Sequence, residues 1–344
     1  MKENKHSLRT RKLSIVNSSL SIEICPGTLT EGHNTYSRIA LKRVFIGKKV
    51  NHILPYAAPN SDEETDELFI DNRKRLSISG VQEKFSVLLE KNQLRLIKEG
   101  ERGTHILKPI PGAGKNADQM PANEHLTMQI AKQVFNIETA ENALIFFDNG
   151  EPAYITRRFD VQQTGNKWAQ EDFASLAGYT SPTHGENYKY LGNYLHLFEL
   201  MKKYVPAYQV EAPKLFRLIV FNYLMSNGDA HLKNFSLVET TLGDFKLSPA
   251  YDLLNSRIHI DDKDFALEEG LLPPQQTKGK VREQFLRLGE LAEISEKQLH
   301  KIMDNLTSHS EKVKDLIQRS YLSERFKRNY EQAYLTRLNK LTRP

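Results

Sequence analysis

Three oxygen-bearing side chains stand around a predicted hairpin in SNGDAHLKNFSLVETTLGDFKLSPAYD, residues 226–252. Asp229 follows the helix-stop signal Ser-Asn-Gly, and Asn234 comes five residues later. FSLV and DFKLS are strand candidates around the turn TTLGD, and Asp252 stands just past the second of them. Because a hairpin brings its two ends together, we expect Asp229, Asn234 and Asp252 to share one small volume.

The chemistry that suits such a cluster is phosphoryl transfer. Two carboxylates beside an amide repel one another unless a hard cation lies between them, and Mg²⁺ with waters and phosphates is the natural occupant. Phosphoryl transfer needs metal ligands, a carboxylate that orients the attacking hydroxyl, and cations on the phosphates. Any one of these residues alone is more often an ordinary turn residue. The ordered set after a buried helix favours phosphoryl transfer over that alternative.

A lysine and a glutamate in the first half of the chain could serve the same chemistry. Lys108 ends the strand-like segment THILK, and Glu124 lies near the start of the helix that follows. Glu124 heads a helix face that continues with Met128, Ala131 and Phe135, so its carboxylate needs a cation, and Lys108 is available. In kinases such a pair places the lysine ammonium on the nucleotide phosphates. From these residues alone, a surface lysine and a glutamate favoured by the helix dipole fit equally well.

The bulk composition limits the class of protein. The chain has 344 residues, of which 39% are hydrophobic and 26% charged, which is ordinary for a globular protein large enough for two lobes. A single cysteine, Cys25, excludes an internal disulfide and a cysteine-based zinc site. The longest apolar run, LIVFNYLM, is too short to span a bilayer, and the basic N-terminus lacks the apolar segment of a secretory signal. We therefore expect a cytoplasmic protein.

The charge balance is slightly basic. Lysine and arginine total 48 against 43 aspartates and glutamates, a net charge of +5, and the excess gathers at both ends of the chain. Basic ends can bind nucleic acid, but they are more often solvated tails, and we expect solvated tails here.

The order of predicted elements indicates class α+β. Strand patterns FSVLLE, QLRLIKE and THILKPI follow residue 85, a helix begins at Pro121, and ENALIFF and EPAYITRRF are strands again. After Asp160 the chain is mostly helical, and KLFRLIVFNYLM is apolar nearly all round, as in a buried central helix. The pattern predicts a strand-rich small lobe followed by a helical large lobe, with a hinge near residues 157–160.

Two further motifs do not carry the chemistry that they suggest. GAGK at residues 112–115 is not a Walker loop, because asparagine follows the lysine and no glycine stands at the first position. His105, His125, His184 and His259 have no metal-ligand spacing. We expect these four histidines at the surface or at helix caps.

The motifs together resemble those of a known family. ISGVQEK, ILKP, NEHLTM, the strand ITRRFD, NGDAHLKNFSL and PAYDLLN occur in the order typical of the HipA family of bacterial serine/threonine kinases. The resemblance covers about residues 76–260 with specific motifs, and the helical tail more loosely. It points to the short HipT-type branch, because about 75 residues precede the first motif and because the hinge reads Arg-Arg-Phe.

The resemblance implies a two-lobed, protein-kinase-like fold of the HipA type with ATP in the cleft. Residues 1–75 would be an N-terminal lead-in segment, reduced relative to HipA. Residues 76–159 would form the small lobe with the phosphate-binding loop and the hinge, and residues 160–344 the helical large lobe with the catalytic and metal-binding loops.

The resemblance also implies a role for individual residues. Asp229 resembles the catalytic aspartate, and Asn234 and Asp252 resemble the ligands of Mg²⁺. The implied ATP-binding residues are Ser79, Gly80, Val81, Gln82, Glu83, Lys84, Lys108, Glu124, Arg157, Arg158, Phe159, His231 and Lys233.

The loop LSISGVQEKF, residues 76–85, would lie over the ATP phosphates. In this family the loop is a site of autophosphorylation. Ser77 aligns with the family's serine, and Ser79 adds a second hydroxyl. A phosphate on either serine adds about −1.5 to −2 charge near the ATP phosphates, and we expect it to repel nucleotide or to move the loop outward.

The family further implies a growth-inhibiting toxin of a HipBST-like toxin–antitoxin system, which phosphorylates an aminoacyl-tRNA synthetase on serine. Its implied partners are a HipB-like DNA-binding antitoxin, through which DNA is contacted only indirectly, and a HipS-like accessory protein. Two alternatives remain at this point. One is a pseudokinase that binds nucleotide or a partner without turnover, and the other is a small-molecule phosphotransferase.

Overall fold

The computed structural model describes residues 15–16, 19–59, 69, 83–162, 165–261 and 263–343. The predicted loop residues Ser77, Ser79, Gly80, Val81 and Gln82 lie outside the described residues. Within the described ranges the chain forms two lobes, one built on a five-stranded sheet and the other mainly on helices.

The small lobe is built on one antiparallel sheet. A separate pair of two-residue strands, β1 (Ile15–Val16) and β2 (Ser19–Leu20), precedes it. In chain order the sheet contains β3 (Phe85–Glu90), β4 (Gln93–Leu96), β5 (His105–Lys108), β6 (Asn142–Phe146) and β7 (Pro152–Arg157). In the sheet they are ordered β4-β3-β5-β7-β6. The strands predicted from FSVLLE, QLRLIKE, THILKPI, ENALIFF and EPAYITRRF are confirmed.

Two helices contact the same strand of the sheet. α1 (Arg38–Val44) and α2 (Met120–Gln133) both contact β6, and all five residues of β6 are buried. α2 starts one residue before the predicted Pro121, and proline in the first turn of a helix removes no hydrogen bond that the helix needs. The predicted helix is therefore confirmed.

The N-terminal region packs into the small lobe. Within residues 21–59, Val44, Phe45 and Leu54 belong to the same apolar cluster as Phe85 of β3. His105 of β5 stacks on Phe45 with ring centroids 5.7 Å apart, which fixes this region against the sheet. The division of the chain at residue 75 stays a prediction.

The large lobe is mainly helical. It contains α3 (Phe173–Leu176), α4 (Ser181–His184), α5 (Tyr194–Tyr204), α6 (Tyr208–Leu224), α7 (Val281–Leu291), α8 (Glu296–Thr307), α9 (Ser310–Arg319) and α10 (Glu324–Thr342). Twelve of the seventeen residues of α6 are buried, which confirms the predicted central helix. No helix among the described residues combines the length and the apolar character needed to cross a membrane.

The predicted hairpin is present and carries a third strand. β9 (Ser236–Glu239) pairs antiparallel with β10 (Phe245–Leu247), and β8 (Gln170–Asp172) pairs with the other edge of β9. The backbone N–H of Ser248 donates to the carbonyl of Ser236 at 2.9 Å, so the two ends of the hairpin remain close together.

Helix α2 is also fastened to the large lobe. The Asn123 amide donates to the carbonyl of Asn255 at 2.9 Å, and the backbone N–H of Asn255 donates to Asn123 Oδ1 at 3.0 Å. The hydroxyls of Thr127 and Tyr330 are 2.8 Å apart, which joins α2 to α10. The helix therefore packs on the sheet with one side and on the large lobe with another.

The expectation of a solvated basic tail is wrong for the C-terminus. Residues 324–342 form α10, in which Phe326, Tyr330, Tyr334 and Leu341 are buried. These side chains recur at helical spacing, so the basic residues between them occupy the outer face of a helix that packs into the core.

The expectation of histidines at the surface or at helix caps is wrong for His105 and His125, but it is met by His184 at the surface and by His259, which is buried and is the C-cap of the 3-10 helix Ser256–Ile258. His105, His125 and His259 are buried, whereas His184 is exposed at the end of α4. His105 Nε2 lies 2.8 Å from the carbonyl oxygen of Val44, and burial lowers the pKa of His105 to about 4 and that of His125 to about 3. Backbone carbonyls thus provide partners for neutral rings, which is why these rings are found in the interior.

Candidate functional site

The centre of the site is the ammonium group of Lys108. β5 ends at Lys108, and the buried Lys108 Nζ lies 2.7 Å from Glu124 Oε1 on α2. It also donates to Asp252 Oδ1, which lies past the hairpin in the large lobe. The predicted Lys108–Glu124 pair is therefore present, and Asp252 joins it across the two lobes. We call these three residues the lysine triad.

The charges of the lysine triad do not balance. Among the described side chains within ion-pair distance, one ammonium serves two carboxylates. Burial opposes the charge of Lys108, but Asp252 and Glu124 more than offset it and raise the pKa of Lys108 above its ordinary value. Burial raises the pKa of Glu124 to about 7, with Lys108 acting in the opposite direction. The pKa of Asp252 is held low despite burial, first by Lys108 and next by Lys84.

Asn234 and Asp252 meet at the end of the hairpin as predicted. The Asn234 amide lies 3.5 Å from Asp252 Oδ2, and Asn234 Oδ1 accepts the backbone N–H of His231 at 3.0 Å. Asp252 has a φ of 54°, in the left-handed region, which is uncommon for a residue with a side chain and is often found at functional sites.

Asp229 lies in the loop between α6 and Asn234, and it faces Tyr190, which no sequence motif marked. The Tyr190 hydroxyl donates to Asp229 Oδ1 at 2.8 Å, and the Tyr190 ring lies edge-on to His231 with centroids 5.2 Å apart. Burial, and then Asp229, raise the pKa of Tyr190, so this phenol keeps its proton. No spacing in ENYKYLGN marks Tyr190, because its contact with Asp229 joins residues 39 positions apart.

The backbone of the loop that carries Asp229 is held in place by the hydroxyl of Ser256. α6 ends at Leu224, and Ser226 follows with a φ of 57°. Ser256 Oγ donates to the carbonyl of Ser226 at 3.1 Å and accepts the N–H of Gly228 at 2.8 Å. Ser256 is a second positioning residue that the motif analysis did not single out.

His231 is the N-cap of the short 3-10 helix Leu232–Asn234 and Lys233 lies within it, and the two side chains lie in different surroundings. Burial lowers the pKa of His231 to about 4, with Asp229 and Asp252 acting in the opposite direction, so the ring is neutral near pH 7. Lys233 Nζ lies 3.3 Å from the Tyr188 hydroxyl and 3.9 Å from Asp172 Oδ2. His231 therefore lies beside Asp229, whereas Lys233 contacts Tyr188 and Asp172.

The predicted hinge residues differ in where their side chains go. Arg158 makes two hydrogen bonds to the Asp160 carboxylate, at 2.9 and 2.6 Å, so its guanidinium is engaged by its own segment. The Phe159 ring stacks on Tyr251, with centroids 5.9 Å apart, next to Asp252. Arg157 and Phe159 also line a cavity of about 600 Å³ that none of the lysine triad lines.

The side-chain oxygens of this site suit a small, hard metal ion that takes its remaining ligands from the substrate. No group of three or more histidine, cysteine, aspartate or glutamate side chains within the described ranges could hold a metal ion alone. Mg²⁺ is commonly bound by one or two carboxylates together with phosphate oxygens and waters, and the pair Asn234–Asp252 is a donor set of that kind. The excess negative charge of the lysine triad would favour such a cation.

Curated relatives match a large part of the chain. A Haemophilus influenzae protein named "Putative kinase" is 26% identical over 232 residues, which cover 65% of this chain and 64% of the relative. A Sinorhizobium fredii protein named "Putative kinase Y4dM" is 31% identical over 258 residues, which cover 70% of this chain and 59% of the relative. The chain thus spans about 60% of the length of these two relatives.

Two solved structures share the fold. HipA of Shewanella oneidensis MR-1, solved in a toxin–antitoxin complex with HipB and its operator DNA, matches with a TM-score of 0.59 and 20% identity over 77% of this chain and 65% of its own. The Helicobacter pylori proinflammatory kinase CtkA matches with a TM-score of 0.50 and 14% identity over 74% of this chain and 92% of its own. At these identities the matches concern the fold, and they confirm the predicted two-lobed, HipA-like α+β architecture.

The family itself follows from a separate match. The model of the HipA-like C-terminal domain matches residues 76–333, which is most of the chain and includes every residue of the site described above. The chain therefore belongs to the family of HipA-like C-terminal domains.

Proposed function

We propose that this protein is an ATP- and Mg²⁺-dependent protein kinase that phosphorylates a serine or threonine hydroxyl. The observation that carries the proposal is the lysine triad, in which Lys108 joins Glu124 of the small lobe to Asp252 of the large lobe. Such a cation between the lobes is what a nucleotide triphosphate needs at its phosphates. The names of the two relatives support the same reaction class.

Each residue of the triad has a distinct role in this proposal. Lys108 binds phosphate oxygens of ATP, and Glu124 holds Lys108 in place from α2. Asn234 and Asp252 hold Mg²⁺, which when bound neutralises charge on the transferred phosphate. Because Asp252 and Lys108 are in contact, one small region serves both the metal and the phosphates.

Asp229 acts on the acceptor hydroxyl. With Oδ1 engaged by Tyr190, Oδ2 is the oxygen that orients the acceptor and receives its proton as the bond from the acceptor oxygen to the γ-phosphorus forms and the bond from that phosphorus to ADP breaks. His231 is neutral near pH 7, so it adds no positive charge that would compete with Lys108 for the phosphate. We propose that Lys233, which contacts the Tyr188 hydroxyl, contributes a cation beside the phosphates.

Nucleotide binding by the remaining residues stays a prediction. Lys84 acts electrostatically on both Glu124 and Asp252, which supports a place for it near the phosphates. We propose that Glu83, Arg157 and Phe159 complete the nucleotide site. The guanidinium of Arg158 holds the hinge through Asp160.

Two further parts of the proposal concern the loop outside the described residues and the cellular role. We propose that Ser77 or Ser79 is autophosphorylated. We also propose a toxin of HipT type, located in the cytoplasm, with an aminoacyl-tRNA synthetase as substrate and HipB-like and HipS-like partners. The S. oneidensis HipA complex with HipB and operator DNA supports an antitoxin of the HipB type.

The test is phosphoproteomics after a short induction of the parent and of Asp229→Asn. Asp304→Asn, which changes an exposed aspartate on α8, is the matched control. We expect new phosphoserine or phosphothreonine sites on one protein with the parent and with Asp304→Asn, and none with Asp229→Asn. Equal labelling by Asp229→Asn would overturn the assignment of Asp229.

Two further measurements separate the two alternatives. Nucleotide binding by calorimetry without phosphate transfer to any protein would identify a pseudokinase. Transfer from labelled ATP to a metabolite, with no labelled protein, would identify a small-molecule phosphotransferase.

A further inference from the structure

The cavity of about 600 Å³ lies behind the hinge, and we call it the back cavity. Its walls are the loop 136–141 after α2, the end of β7 with Phe159, the first half of α6, and residues 247–250 after β10. Its volume is that of a site for a small organic molecule. Arg157 and Phe159, which we place in the nucleotide site, line it as well, whereas none of the residues that we assign to phosphate or metal binding does.

The back cavity offers an apolar surface to its contents. Ile137, Phe159, Leu218 and Leu247 contribute to its walls. Leu218 and Leu247 are almost fully buried, and the Phe159 ring is held in place by its stacking on Tyr251. A ligand of this cavity therefore has an apolar body.

The charged side chains around the back cavity are mostly neutralised by neighbours. Three ion pairs account for all of them except Arg157 and Arg217: Lys132–Glu141, Lys214–Glu211 at 2.6 Å and Lys246–Glu138 at 3.5 Å. Each pair joins one cation to one carboxylate, so none of them leaves an excess charge for a ligand.

Arg217 is one of the two exceptions, beside Arg157 at the end of β7. It lies on α6, its Nη1 donates to the carbonyl of Phe135 at 3.1 Å, and no carboxylate of the described residues lies within ion-pair distance. Burial lowers the pKa of Arg217, which shows that the guanidinium loses hydration without gaining a carboxylate in return. A partly desolvated guanidinium of this kind favours an anion, which it can bind with two parallel hydrogen bonds.

We propose that the back cavity binds an amphipathic organic anion, with its carboxylate, sulfonate or phosphate on Arg217 and its apolar body against Phe159 and Leu218. The site is a regulatory one, because its walls are bonded to both sides of the nucleotide cleft. The N–H of Ala140 donates to the carbonyl of Ala250 at 2.9 Å, and the N–H of Ala250 donates to the backbone carbonyl of Glu138 at 2.8 Å. Ala250 lies two residues before Asp252.

The hinge is connected in the same way. The backbone N–H of Arg157 donates to the carbonyl of Glu141 at 2.7 Å, so the loop after α2 is hydrogen-bonded to the end of β7. A ligand that stiffens this loop acts on the hinge and on the segment that carries Asp252, and its binding is coupled to that of ATP. This coupling rests on the proposed nucleotide site, whereas binding in the back cavity does not.

The first measurement uses two fluorescent probes on the unmodified protein. 8-Anilino-1-naphthalenesulfonate is an amphipathic anion, and N-phenyl-1-naphthylamine has the same rings without the charge. We expect saturable binding of the sulfonate at one site and at least tenfold weaker binding of the amine. Equal affinities would overturn the role of charge.

The second measurement places the probe. We expect Arg217→Gln to weaken sulfonate binding roughly tenfold or more, and Arg217→Lys to weaken it about threefold, because lysine keeps the charge but not the planar fork. Arg287→Gln, on the exposed face of α7, is the control and should leave binding unchanged. Sulfonate binding by Arg217→Gln that equals that of the parent would place the probe elsewhere.

The third measurement separates the back cavity from the nucleotide cleft. With rising ATP, coupling shifts the apparent Kd of the sulfonate by roughly fivefold and then reaches a plateau. A Kd that rises without limit shows that the probe occupies the nucleotide cleft and would overturn the proposal. A plateau in a protein that transfers no phosphate would leave the back cavity standing and the proposed kinase activity overturned.

Discussion

Two clusters in this protein contain the same charges, one cation between two carboxylates, and lie in opposite surroundings. In the lysine triad, the side chains of Lys108 and Glu124 are only 6% and 4% exposed. On the sheet surface, Arg95 of β4 pairs with Glu90 at 2.9 Å and with Glu101 at 2.6 Å, and its side chain is 30% exposed. We call the second group the arginine cluster.

The two clusters shift a carboxyl group in opposite directions. Hydrogen bonds from Arg95 lower the pKa of Glu101 to about 2, whereas burial raises that of Glu124 to about 7. The contacts are alike, so the difference comes from the lost hydration of Glu124. Burial therefore gives the Glu124 carboxyl a pKa near neutral pH, although its contacts are those of an ordinary ion pair. Such a shifted pKa is typical of functional sites rather than of surface ion pairs.

The largest expected effect comes from removing each cation in turn. Lys108→Met should lower phosphate transfer on the order of 10³-fold, because it removes the cation from the phosphates and leaves Glu124 and Asp252 without a partner. Arg95→Met is the matched control and should leave transfer unchanged. A radioactive ATP transfer assay on folded protein checks both. Equal losses in the two variants would mean that the clusters do not differ in function.

The second expectation concerns stability against pH. The folded protein holds the Glu124 proton up to a pKa of about 7, while the unfolded chain releases it near 4.5. The unfolded state therefore binds fewer protons between pH 4.5 and 7, and stability from this group is lost as pH rises through that window. Relative to the parent, Glu124→Gln should gain on the order of 3 kcal/mol in unfolding free energy between pH 4.5 and pH 7. Urea unfolding at several pH values measures the difference.

Glu101→Gln is the matched control for that experiment. The pKa of Glu101 is depressed, so its stabilising effect is present above pH 4.5 and is lost as pH falls toward 2. The difference between Glu101→Gln and the parent should thus stay constant from pH 4.5 to 7. If both variants change with pH in the same direction, burial is not the cause of the contrast.

A smaller effect is expected on the acceptor side of the site, where no ion pair is involved. Tyr190→Phe keeps the ring beside His231 and removes the hydroxyl that donates to Asp229. We expect kcat to fall about tenfold with KM for ATP unchanged, since the lost hydrogen bond orients the acceptor carboxylate rather than the nucleotide. Steady-state kinetics test this, with Tyr204→Phe at the end of α5 as the control. A rise in KM for ATP at constant kcat would contradict it.

The smallest expected effect is that of salt. Charges at the surface are screened within about 10 Å at 0.1 M salt, and buried pairs much less. The stability difference between Arg95→Met and the parent should therefore shrink between 0.1 and 1 M NaCl. The difference for Lys108→Met should persist over the same range, and thermal unfolding of the three proteins measures both.

The part of the site that could be predicted from the sequence depends on short-range pattern. The strand ending at Lys108 and the helix starting before Glu124 are neighbours in the chain, so the spacing of apolar residues indicated the pair, although a surface lysine and a glutamate at the helix start fitted the same pattern. The hairpin likewise brought Asn234 to Asp252. The contact between Lys108 and Asp252 spans 144 residues and was not predicted, because the family resemblance only placed the two residues at the phosphates and at the metal of ATP.

The errors have a common physical origin. His105 and His125 look like polar surface residues, but a buried backbone carbonyl needs a donor, and a neutral imidazole can supply one. The charges of α10 hid a helical repeat of Phe326, Tyr330 and Tyr334. In both cases the prediction followed the polar character of the residues rather than their spacing in the chain. For Tyr190, no local pattern indicated its role.

The hydrogen bonds that fasten α2 to the large lobe have a mechanical consequence. An enzyme that is switched off by swinging this helix outward would have to break the Asn123–Asn255 and Thr127–Tyr330 bonds together and withdraw Glu124 from Lys108. Each of these buried hydrogen bonds contributes to the stability of the closed arrangement, so the cost of the movement rises with every bond that is broken. The frame around the cleft is thus stiff at this helix. Moving the segments that border the cleft therefore costs less free energy than moving α2, so we expect regulation to act on those segments.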